Sequence, residues 1–430
     1  MKYANQISEM LNAFSPEPLK GEQMEEFYCR DTMEYRMSDK YDSPMEDIFE
    51  GCQEEGHNAF LLLGHKGCGK STELNRLSAT LMEKGYPVRT IVCSVDLDMF
   101  NIVYSDLFIL MGEALLEIAK DCGCVLDLDI LDAIWHFWDE KTETSIVRKE
   151  ETTDIEAGAA AETPVIFQVL KVFAKIKADL KLNEETRKEY RKKISVRSSE
   201  WMGLLRGLSG EITEKTGGKA PVIIFEDLDK LNPEDAWNVF YNYAAVLSGM
   251  PFPVIYTFPI GLSYDTRFAA MEGYFTPKTL PMIKIETIDG RPYDEGIAVI
   301  REIVAKRADL ALFEEGILNS LIRYSGGSLR DLFHMINSSA KRAERRNSGS
   351  ISVEDAERAL EEVKTSLTRR IEQKDYAFLS NIYHGNKEQI EDKQMLLKML
   401  QASVVFEYNG KRWHNLHPLV ARFLKEQELV

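Results

Sequence analysis

A glycine-rich stretch at residues 64–72 constrains the fold of this chain more than any other feature. It reads Gly-His-Lys-Gly-Cys-Gly-Lys-Ser-Thr and fits the P-loop pattern G-x-x-x-x-G-K-[ST]. The apolar run at 59–63 precedes it as a short strand, and residues 73–77 follow with helical spacing. A strand, a tight turn and a helix in this order predict an α/β fold in which a parallel sheet is sandwiched by helices.

The chemistry of the loop assigns roles to its residues. Glycines let successive N–H groups turn inward around a phosphate, and the start of the next helix adds its positive dipole end. Lys70 is expected to reach the β- and γ-phosphates, and Ser71 to coordinate Mg²⁺. The alternative is a glycine-rich turn without a ligand. We predict ATP and Mg²⁺ as cofactors, bound by Gly64, His65, Lys66, Gly67, Cys68, Gly69, Lys70, Ser71 and Thr72.

A second motif supplies carboxylates. Residues 222–229 read Val-Ile-Ile-Phe-Glu-Asp-Leu-Asp, a strand buried on both faces that ends in acids. Glu226 aligns with the acid on the metal side and Asp227 with the acid that activates water. A shift of one residue would make Asp227 the magnesium ligand, and Asp229 can also face the site. Surface acids that cap the strand are the alternative.

Two further residues are candidates for sensing the nucleotide. Thr257 ends the apolar strand at 253–258, where it can hold the attacking water or contact the γ-phosphate; a buried threonine bonded to the backbone is equally compatible. Arg330 follows a Gly-Gly break and the cap residue Ser328, so it lies in the first turn of a helix. Arginine opposes the macrodipole there, which indicates a role elsewhere such as a γ-phosphate contact; an ordinary surface arginine is equally compatible.

Composition narrows the class of protein. The 430 residues carry a net charge of −17, which disfavours non-specific nucleic-acid binding. Residues 1–57 hold 14 acidic and 5 basic residues, whereas residues 366–430 hold 8 and 10. No basic and apolar leader opens the chain and no long apolar run occurs, so we expect a cytoplasmic protein without a membrane segment. The six cysteines lack paired zinc spacing, and Cys122 and Cys124 are expected to be ordinary thiols.

The chain divides into four predicted regions. Residues 1–57 form an acidic helical segment that leads to the nucleotide site, and residues 58–290 form the P-loop core with a helical insertion at about 127–197. Within the insertion, 149–163 has the composition of a mobile loop, and the basic run at 187–193 favours a solvated helix face over a nucleic-acid contact. Residues 291–365 are predicted to form a helical lid.

Residues 366–430 are predicted to form a winged helix. Helices precede a β-hairpin at 404–414 around an Asn-Gly turn, and the wing carries Lys411 and Arg412. The small local charge makes protein docking at least as compatible as DNA binding. His414 and His417 lack acid or cysteine partners nearby in the sequence, which favours packing over metal binding.

These motifs resemble the AAA+ and related STAND-type P-loop ATPases, especially those with an origin-recognition-like core, helical lid and winged helix. The resemblance rests on residues 64–72, 222–229 and 326–330 and on the strand that ends at Thr257, which look like Walker A, Walker B, sensor 2 and sensor 1. It implies ATP hydrolysis, slow or partner-dependent because Glu226 stands where the family has Asp. It also implies an arginine finger acting on a neighbouring subunit, for which Arg267 is the candidate.

Three functions follow in order of preference. The first is an ATP-driven conformational switch that regulates a protein partner or a homo-oligomer, as ATPases of similar layout do in bacterial signalling or antiviral defence. The second is an ATP-dependent initiator or loader that binds DNA through the wing, which the acidic charge weighs against. The third is an ATP-binding scaffold with little hydrolysis, which the pair Glu226 and Asp227 weighs against.

Overall fold

A five-stranded parallel sheet lies at the centre of the first part of the molecule. The computed structural model describes residues 1–29, 32–37, 42–54, 59–138, 165–385, 387–408 and 412–430. The strands are β1 (Ala59–Gly64), β2 (Val88–Val92), β3 (Val222–Glu226), β4 (Val254–Pro259) and β5 (Thr276–Thr279). They lie in the order β2-β3-β4-β1-β5, and every neighbouring pair is parallel. The predicted α/β fold is therefore confirmed.

Helices cover both faces of the sheet because alternate strand residues point to opposite sides. Leu61 and Leu63 of β1 pack among the helices Tyr104–Asp121 and Ser198–Lys215, whereas Phe60 and Leu62 pack against the P-loop helix Lys70–Glu83. The further helices of this part are Cys93–Asp96, Leu128–Trp138, Val165–Leu182, Glu184–Val196, Pro233–Ala236, Ala244–Ser248 and Thr266–Met271, with a π-helical turn at Trp237–Tyr241 and 3-10 turns at Leu228–Lys230 and Ile260–Tyr264.

Two details of the sheet differ from the prediction. The apolar residues at 88–95 predict a strand over that whole range, but β2 ends at Val92, because the chain turns into the short helix Cys93–Asp96. The sequence reasoning also missed β5, which contains Pro277 and, among the described strands, pairs with β1 alone at the sheet edge. Proline lacks an N–H for a second ladder, so it occurs in edge strands and weakens the strand signal in a sequence.

The region after the sheet is helical and contains a β-hairpin before its last helix. Its described helices are Asp294–Ala305, Ile317–Ser325, Leu329–Arg345, Val353–Thr368, Tyr376–His384, Lys393–Gln401 and Pro418–Glu426, with 3-10 turns at Leu310–Leu312 and Gln373–Asp375. The strands β6 (Val405–Tyr408) and β7 (Trp413–Leu416) pair antiparallel. The predicted helical region and hairpin are thus present, while the assignment as a winged helix and the domain limits stay predictions.

The N-terminal segment joins the two parts of the molecule. It contains the 3-10 turn Ile7–Glu9 and the helices Met10–Ala13, Glu22–Phe27, Thr32–Arg36 and Pro44–Gly51. Ala4 exchanges backbone hydrogen bonds with Arg307 and Asp309, and Phe14 packs in the same apolar cluster as the helix Leu329–Arg345. The segment therefore reaches from the lid region to the P-loop side of the sheet.

The insertion is partly described. The helices Val165–Leu182 and Glu184–Val196 agree with its predicted helical character, whereas the predicted mobile loop at 149–163 lies outside the described residues. Within the basic run, Arg187 pairs with Asp98 and Arg191 pairs with Asp106. These arginines hold the insertion against the core, which leaves less of the run for a nucleic-acid contact.

Candidate functional site

The P-loop turns from β1 into the helix Lys70–Glu83 with the backbone of a phosphate cradle. Gly67 and Gly69 have φ angles of 87° and 104°, values that residues with a side chain rarely adopt. The first intrahelical bond runs from the amide of Glu73 to the carbonyl of Gly69. The amides of Lys70, Ser71 and Thr72 precede that bond, so they have no acceptor within the helix and suit an anion.

Lys70 is buried and all three of its N–H donors are used. Its Nζ atom lies 2.7 Å from the carbonyl oxygen of Gly64, 3.0 Å from that of His65 and 2.9 Å from Asp229 Oδ2. The Lys70 and Asp229 side chains are only 7% and 10% exposed. Attraction to Asp229 outweighs the cost of burial and raises the pKa of Lys70. Asp229 therefore stands where an anionic ligand of Lys70 would stand.

Glu226 lies beside Ser71, as expected for residues that share a magnesium ion. The Ser71 hydroxyl donates to the Glu226 carboxylate. Glu226 is buried, with 6% of its surface exposed. Burial, followed by repulsion from Asp227 and Asp229, raises the pKa of Glu226 to about 7. The hydroxyl and the carboxylate together offer the oxygen ligands that Mg²⁺ prefers. This geometry supports Glu226, and not Asp227, as the carboxylate on the metal side.

Asp227 points toward the same cavity from a constrained backbone. Its φ angle is 71°, and it accepts hydrogen bonds from the Ser94 hydroxyl and from Lys230, whose Nζ lies 2.6 Å from Asp227 Oδ1. Ser94 follows β2 and was missed by the sequence reasoning; its position after a core strand was the available signal. A carboxylate held in this way has the chemistry of a general base.

Thr257 is buried, and its hydroxyl bonds to the backbone of the adjoining turn. Thr257 Oγ1 donates to the carbonyl of Phe225 over 3.3 Å and accepts from the amides of Leu228 and Asp229 at 3.0 and 3.4 Å. The residue lines the cavity but is 2% exposed. Of the two predicted roles, the geometry favours the structural one, in which the Thr257 hydroxyl is bonded to the backbone and holds the end of β3 in place.

Arg330 reaches the site from the helix Leu329–Arg345, which we call the lid helix. The first amide of the lid helix, that of Leu329, donates to the carbonyl of Gly67 over 3.1 Å. The Ser328 hydroxyl caps the helix by accepting from the amide of Asp331. Arg330 lines the cavity, and its Cβ lies 2.6 Å from where a Cβ on Gly67 would be. The predicted sensor arginine therefore lies at the P-loop.

His65 connects the P-loop to the hairpin. Its Nε2 atom accepts from the amide of Glu407 in β6 at 2.8 Å, and its ring packs edge to face with Phe406 at 5.2 Å. Burial, aided by the charge of Lys70, lowers the pKa of His65 to about 3. The imidazole is thus neutral at physiological pH and suited to accept this bond.

Arg267 lies outside the set of residues that line the cavity. Its guanidinium pairs with Asp265 at 2.6 Å, stacks over Trp237 at 4.5 Å and remains 46% exposed. A role on a neighbouring subunit stays a prediction.

A cavity of about 1020 Å³ joins these residues to the N-terminal segment. The segment crosses the P-loop helix, since the amide of Leu19 donates to Thr72 and Asn75 donates back to Leu19. Thr32 and Arg36 also line the cavity and were missed, because nothing in their sequence context links them to the P-loop. With loop amides, a lysine and a Ser–Glu pair in one cavity, the donor set fits a magnesium-bound nucleoside polyphosphate.

Other candidate chemistry is weaker. Across the described residues, no group of three or more histidines, cysteines and acids is placed to bind a metal. His414 contacts the Lys387 carbonyl and the Tyr264 hydroxyl, and His417 accepts from the amide of Leu419 and lies 3.6 Å from Asp331 Oδ2, so protein groups hold both rings. None of the six cysteines, all of which lie within the described ranges, forms a disulfide. None of the described helices has both the length and the hydrophobicity needed to cross a bilayer.

Comparison with known proteins gives structural neighbours at low identity. No protein-family model and no curated protein matches the chain. The chain is similar to Cdc6p from Pyrobaculum aerophilum, with 13% identity, 97% of this chain and 98% of that chain covered and a TM-score of 0.39. It is also similar to the Aeropyrum pernix ORC1 protein in complex with DNA, with 11% identity, coverage of 92% and 96% and a TM-score of 0.35.

A third neighbour is the RuvB Holliday junction branch migration motor of Thermotoga maritima, with 11% identity, coverage of 91% and 97% and a TM-score of 0.34. Similarities at this level carry no argument about the chain. Its P-loop α/β core is recognised from the chain itself, through the strand order β2-β3-β4-β1-β5 and the P-loop that follows β1.

Proposed function

We propose that the chain binds Mg²⁺-ATP in the P-loop cavity and acts as a nucleotide-driven conformational switch. One observation carries this proposal: the P-loop is hydrogen-bonded directly to two distant parts of the chain. Gly67 accepts from the lid helix at Leu329, and His65 accepts from the hairpin at Glu407. Any rearrangement of the loop around phosphate must act on both bonds.

The residues present explain why a triphosphate would move these contacts. Phosphate oxygens need the loop amides and Lys70, whose donors are now bonded to Asp229 and to the carbonyls of Gly64 and His65. A ligand shifts a conformational equilibrium only by its difference in affinity for the two states. Phosphate would draw Lys70 away from the His65 carbonyl, and His65 also accepts from the hairpin amide of Glu407. The state in which Lys70 is released therefore differs both at the hairpin and in its affinity for phosphate.

Hydrolysis would use the acids that follow β3. Glu226 and Ser71 would hold Mg²⁺, which neutralises charge on the phosphates, and Asp227 would orient and deprotonate water. Asp227 is also bonded to Ser94 and Lys230, so its freedom to act as a base depends on the turn Leu228–Lys230. A slow, partner-dependent turnover is consistent with this arrangement.

We propose that the switch acts on a protein partner and not on DNA. Every residue of β6 and β7 is buried, so the described hairpin faces the P-loop and the lid. The predicted wing residue Lys411 and the Asn-Gly turn lie outside the described residues. A DNA-binding initiator would need an exposed basic surface near this hairpin, and its buried strands provide none.

Hydrogen exchange of the hairpin tests the switch. With ATP and Mg²⁺, the amides of 405–416 in the wild-type protein should change their exchange rates, and ADP should give a different pattern. In Lys70→Ala, which should lose nucleotide affinity, ATP should leave exchange unchanged. ATP binding without any change at 405–416 would contradict the switch, and unchanged affinity in Lys70→Ala would contradict the P-loop assignment.

Turnover is tested with Asp227→Asn. This variant should bind ATP with near wild-type affinity and hydrolyse it at least about a hundredfold more slowly, the scale of general-base catalysis. Asp289→Asn, a change at an exposed acid paired with Arg291, is the matched control and should hydrolyse ATP normally. Wild-type turnover in Asp227→Asn would remove the base role.

A further inference from the structure

The short helix Thr32–Arg36 presents two polar side chains to the nucleotide cavity. Thr32 and Arg36 are one helical turn apart, so they lie on the same face, and both line the cavity. They are 4% and 2% exposed, respectively. This helix belongs to the N-terminal segment, far from the P-loop in sequence.

Arg36 is a buried cation with too few partners. Its Nη1 atom donates to the carbonyl of Pro281 over 2.6 Å, while Nε is buried and has no hydrogen-bond partner among the described residues. In the parts of the chain that the structure describes, no carboxylate is ion-paired with it. Arginine has five N–H donors and stays charged, and an unpaired buried charge strongly destabilises a fold. Within the described ranges, the side chain therefore lacks an anion.

The position of the Arg36 guanidinium indicates which anion would pair with its charge. A Cβ on Gly69 would lie 3.4 Å from Arg36 Nη2, so the guanidinium borders the turn that leads into Lys70 and Ser71. The Thr32 hydroxyl is likewise buried and has no partner in the part of the chain that the structure describes. Loop amides in this part of a P-loop surround the α- and β-phosphates rather than the γ-phosphate.

We propose that Arg36 binds the α- or β-phosphate of the nucleotide and makes the N-terminal segment part of the site. This inference rests on the proposed nucleotide binding and adds a residue to it. The contact exists with ADP as well as ATP, whereas Arg330 is the arginine predicted to contact the γ-phosphate. The N-terminal segment thus contacts any bound nucleotide, whereas the lid helix contacts ATP but not ADP through the γ-phosphate.

Arg36→Met tests the proposal because it keeps the length of the side chain and removes the charge. Charge-assisted hydrogen bonds contribute about 1.5–3 kcal/mol, so titration with fluorescent ADP and ATP should show about 10- to 100-fold weaker binding of both. Without nucleotide, the melting temperature of the variant should equal or exceed that of the wild type, since an unpaired buried charge is gone. Arg291→Met, at an exposed arginine, is the control and should bind both nucleotides normally.

The outcomes separate this inference from the proposed function. Failure of the wild-type protein to bind either nucleotide would overturn the proposed function itself. Wild-type binding with unchanged affinity in Arg36→Met would overturn only the role of Arg36, and so would a loss confined to ATP. If Arg36→Met does not fold, Arg36→Gln, which keeps a donor for the Pro281 carbonyl, gives the same comparison.

Discussion

Lys70 and Asp229 form a buried ion pair in which the nitrogen and oxygen lie 2.9 Å apart, at the point where a P-loop lysine would meet phosphate. The carbonyls of Gly64 and His65 take the two other donors of Lys70. The lysine is therefore bonded to the protein's own carboxylate, and a triphosphate has to displace Asp229 to bind. The site carries a built-in competitor for its ligand.

Asp229→Asn should bind ATP more tightly than the wild type. The variant keeps the shape of the side chain but removes the charge that competes with phosphate, so we expect affinity to rise about tenfold or more, which is about 1.4 kcal/mol. The nucleotide-free variant should melt at a lower temperature, because Lys70 is left buried without a counter-ion. Titration with fluorescent ATP and thermal melts measure the two effects.

Asp289→Asn removes an exposed acid and should leave both measurements unchanged. Weaker ATP binding by Asp229→Asn would contradict competition and would indicate instead that Asp229 positions Lys70 for the phosphate.

Mg²⁺-dependent ATP binding should strengthen as the pH rises from 6 to 8. The pKa of Glu226 is raised to about 7, so the side chain is mostly neutral at pH 6 and mostly a carboxylate at pH 8. Magnesium prefers charged oxygen ligands. Isothermal titration at pH 6, 7 and 8, with and without Mg²⁺, should show a magnesium effect that grows with pH, and Glu226→Gln should abolish this growth. An unchanged profile in Glu226→Gln would contradict metal binding by Glu226.

The same pKa shift predicts a stability effect of opposite sign. The carboxyl of Glu226 binds its proton more tightly in the folded chain than in the unfolded chain, so the nucleotide-free protein loses stability as the pH rises from about 4.5 to about 7. Glu226→Gln lacks this loss. The difference in melting temperature between Glu226→Gln and wild type should therefore grow between pH 5 and 8, in favour of the variant.

The sheet and the phosphate loop were predictable because their signals are local. The strand β1, the loop and the helix Lys70–Glu83 are contiguous, and β3 is an uninterrupted apolar run followed by acids. Buried parallel strands and P-loops need those residue types in that order. The acids Glu226 and Asp227 could be placed for the same reason.

Contacts between distant segments could not be predicted. Arg36 reaches Gly69 only because the N-terminal segment folds over the P-loop, and the bond from Glu407 to His65 joins residues 342 positions apart. Neither position has a local pattern that depends on the other. The role of Thr257 also depended on the structure, since a hydroxyl at a strand end fits both a water contact and a backbone bond until its neighbours are known.

Thr257→Val should separate those two roles. Valine keeps the shape but leaves the amide of Leu228 and the carbonyl of Phe225 without the hydroxyl, which should lower the free energy of unfolding by about 1–3 kcal/mol. Thr257→Ser keeps the hydroxyl and should lose less. Chemical denaturation measures stability, and phosphate release measures turnover. A loss of turnover in Thr257→Val with unchanged stability would instead favour the water-holding role.

Gly67→Ala should release the lid helix from the P-loop. Gly67 has a φ angle of 87°, and a Cβ there would lie 2.6 Å from Arg330 Cβ and 2.9 Å from Ser328 Oγ. The contact involves the start of the lid helix, so the amide of Leu329 should lose its bond to the Gly67 carbonyl and exchange faster with solvent. ATP binding should weaken if Arg330 contacts the nucleotide from this helix.

Gly85→Ala is the matched control for backbone strain. Gly85 has a nearly identical φ angle of 86°, but apart from its chain neighbours no atom of the described residues lies within 4 Å of where a Cβ would be. Both variants carry the strain of a left-handed alanine, about 1–2 kcal/mol, and only Gly67→Ala adds the collision with the lid helix. Faster exchange at Leu329 in Gly67→Ala alone would support direct contact between lid and loop. Equal exchange in the two variants would mean that the lid helix is held elsewhere, through the apolar packing of its buried face.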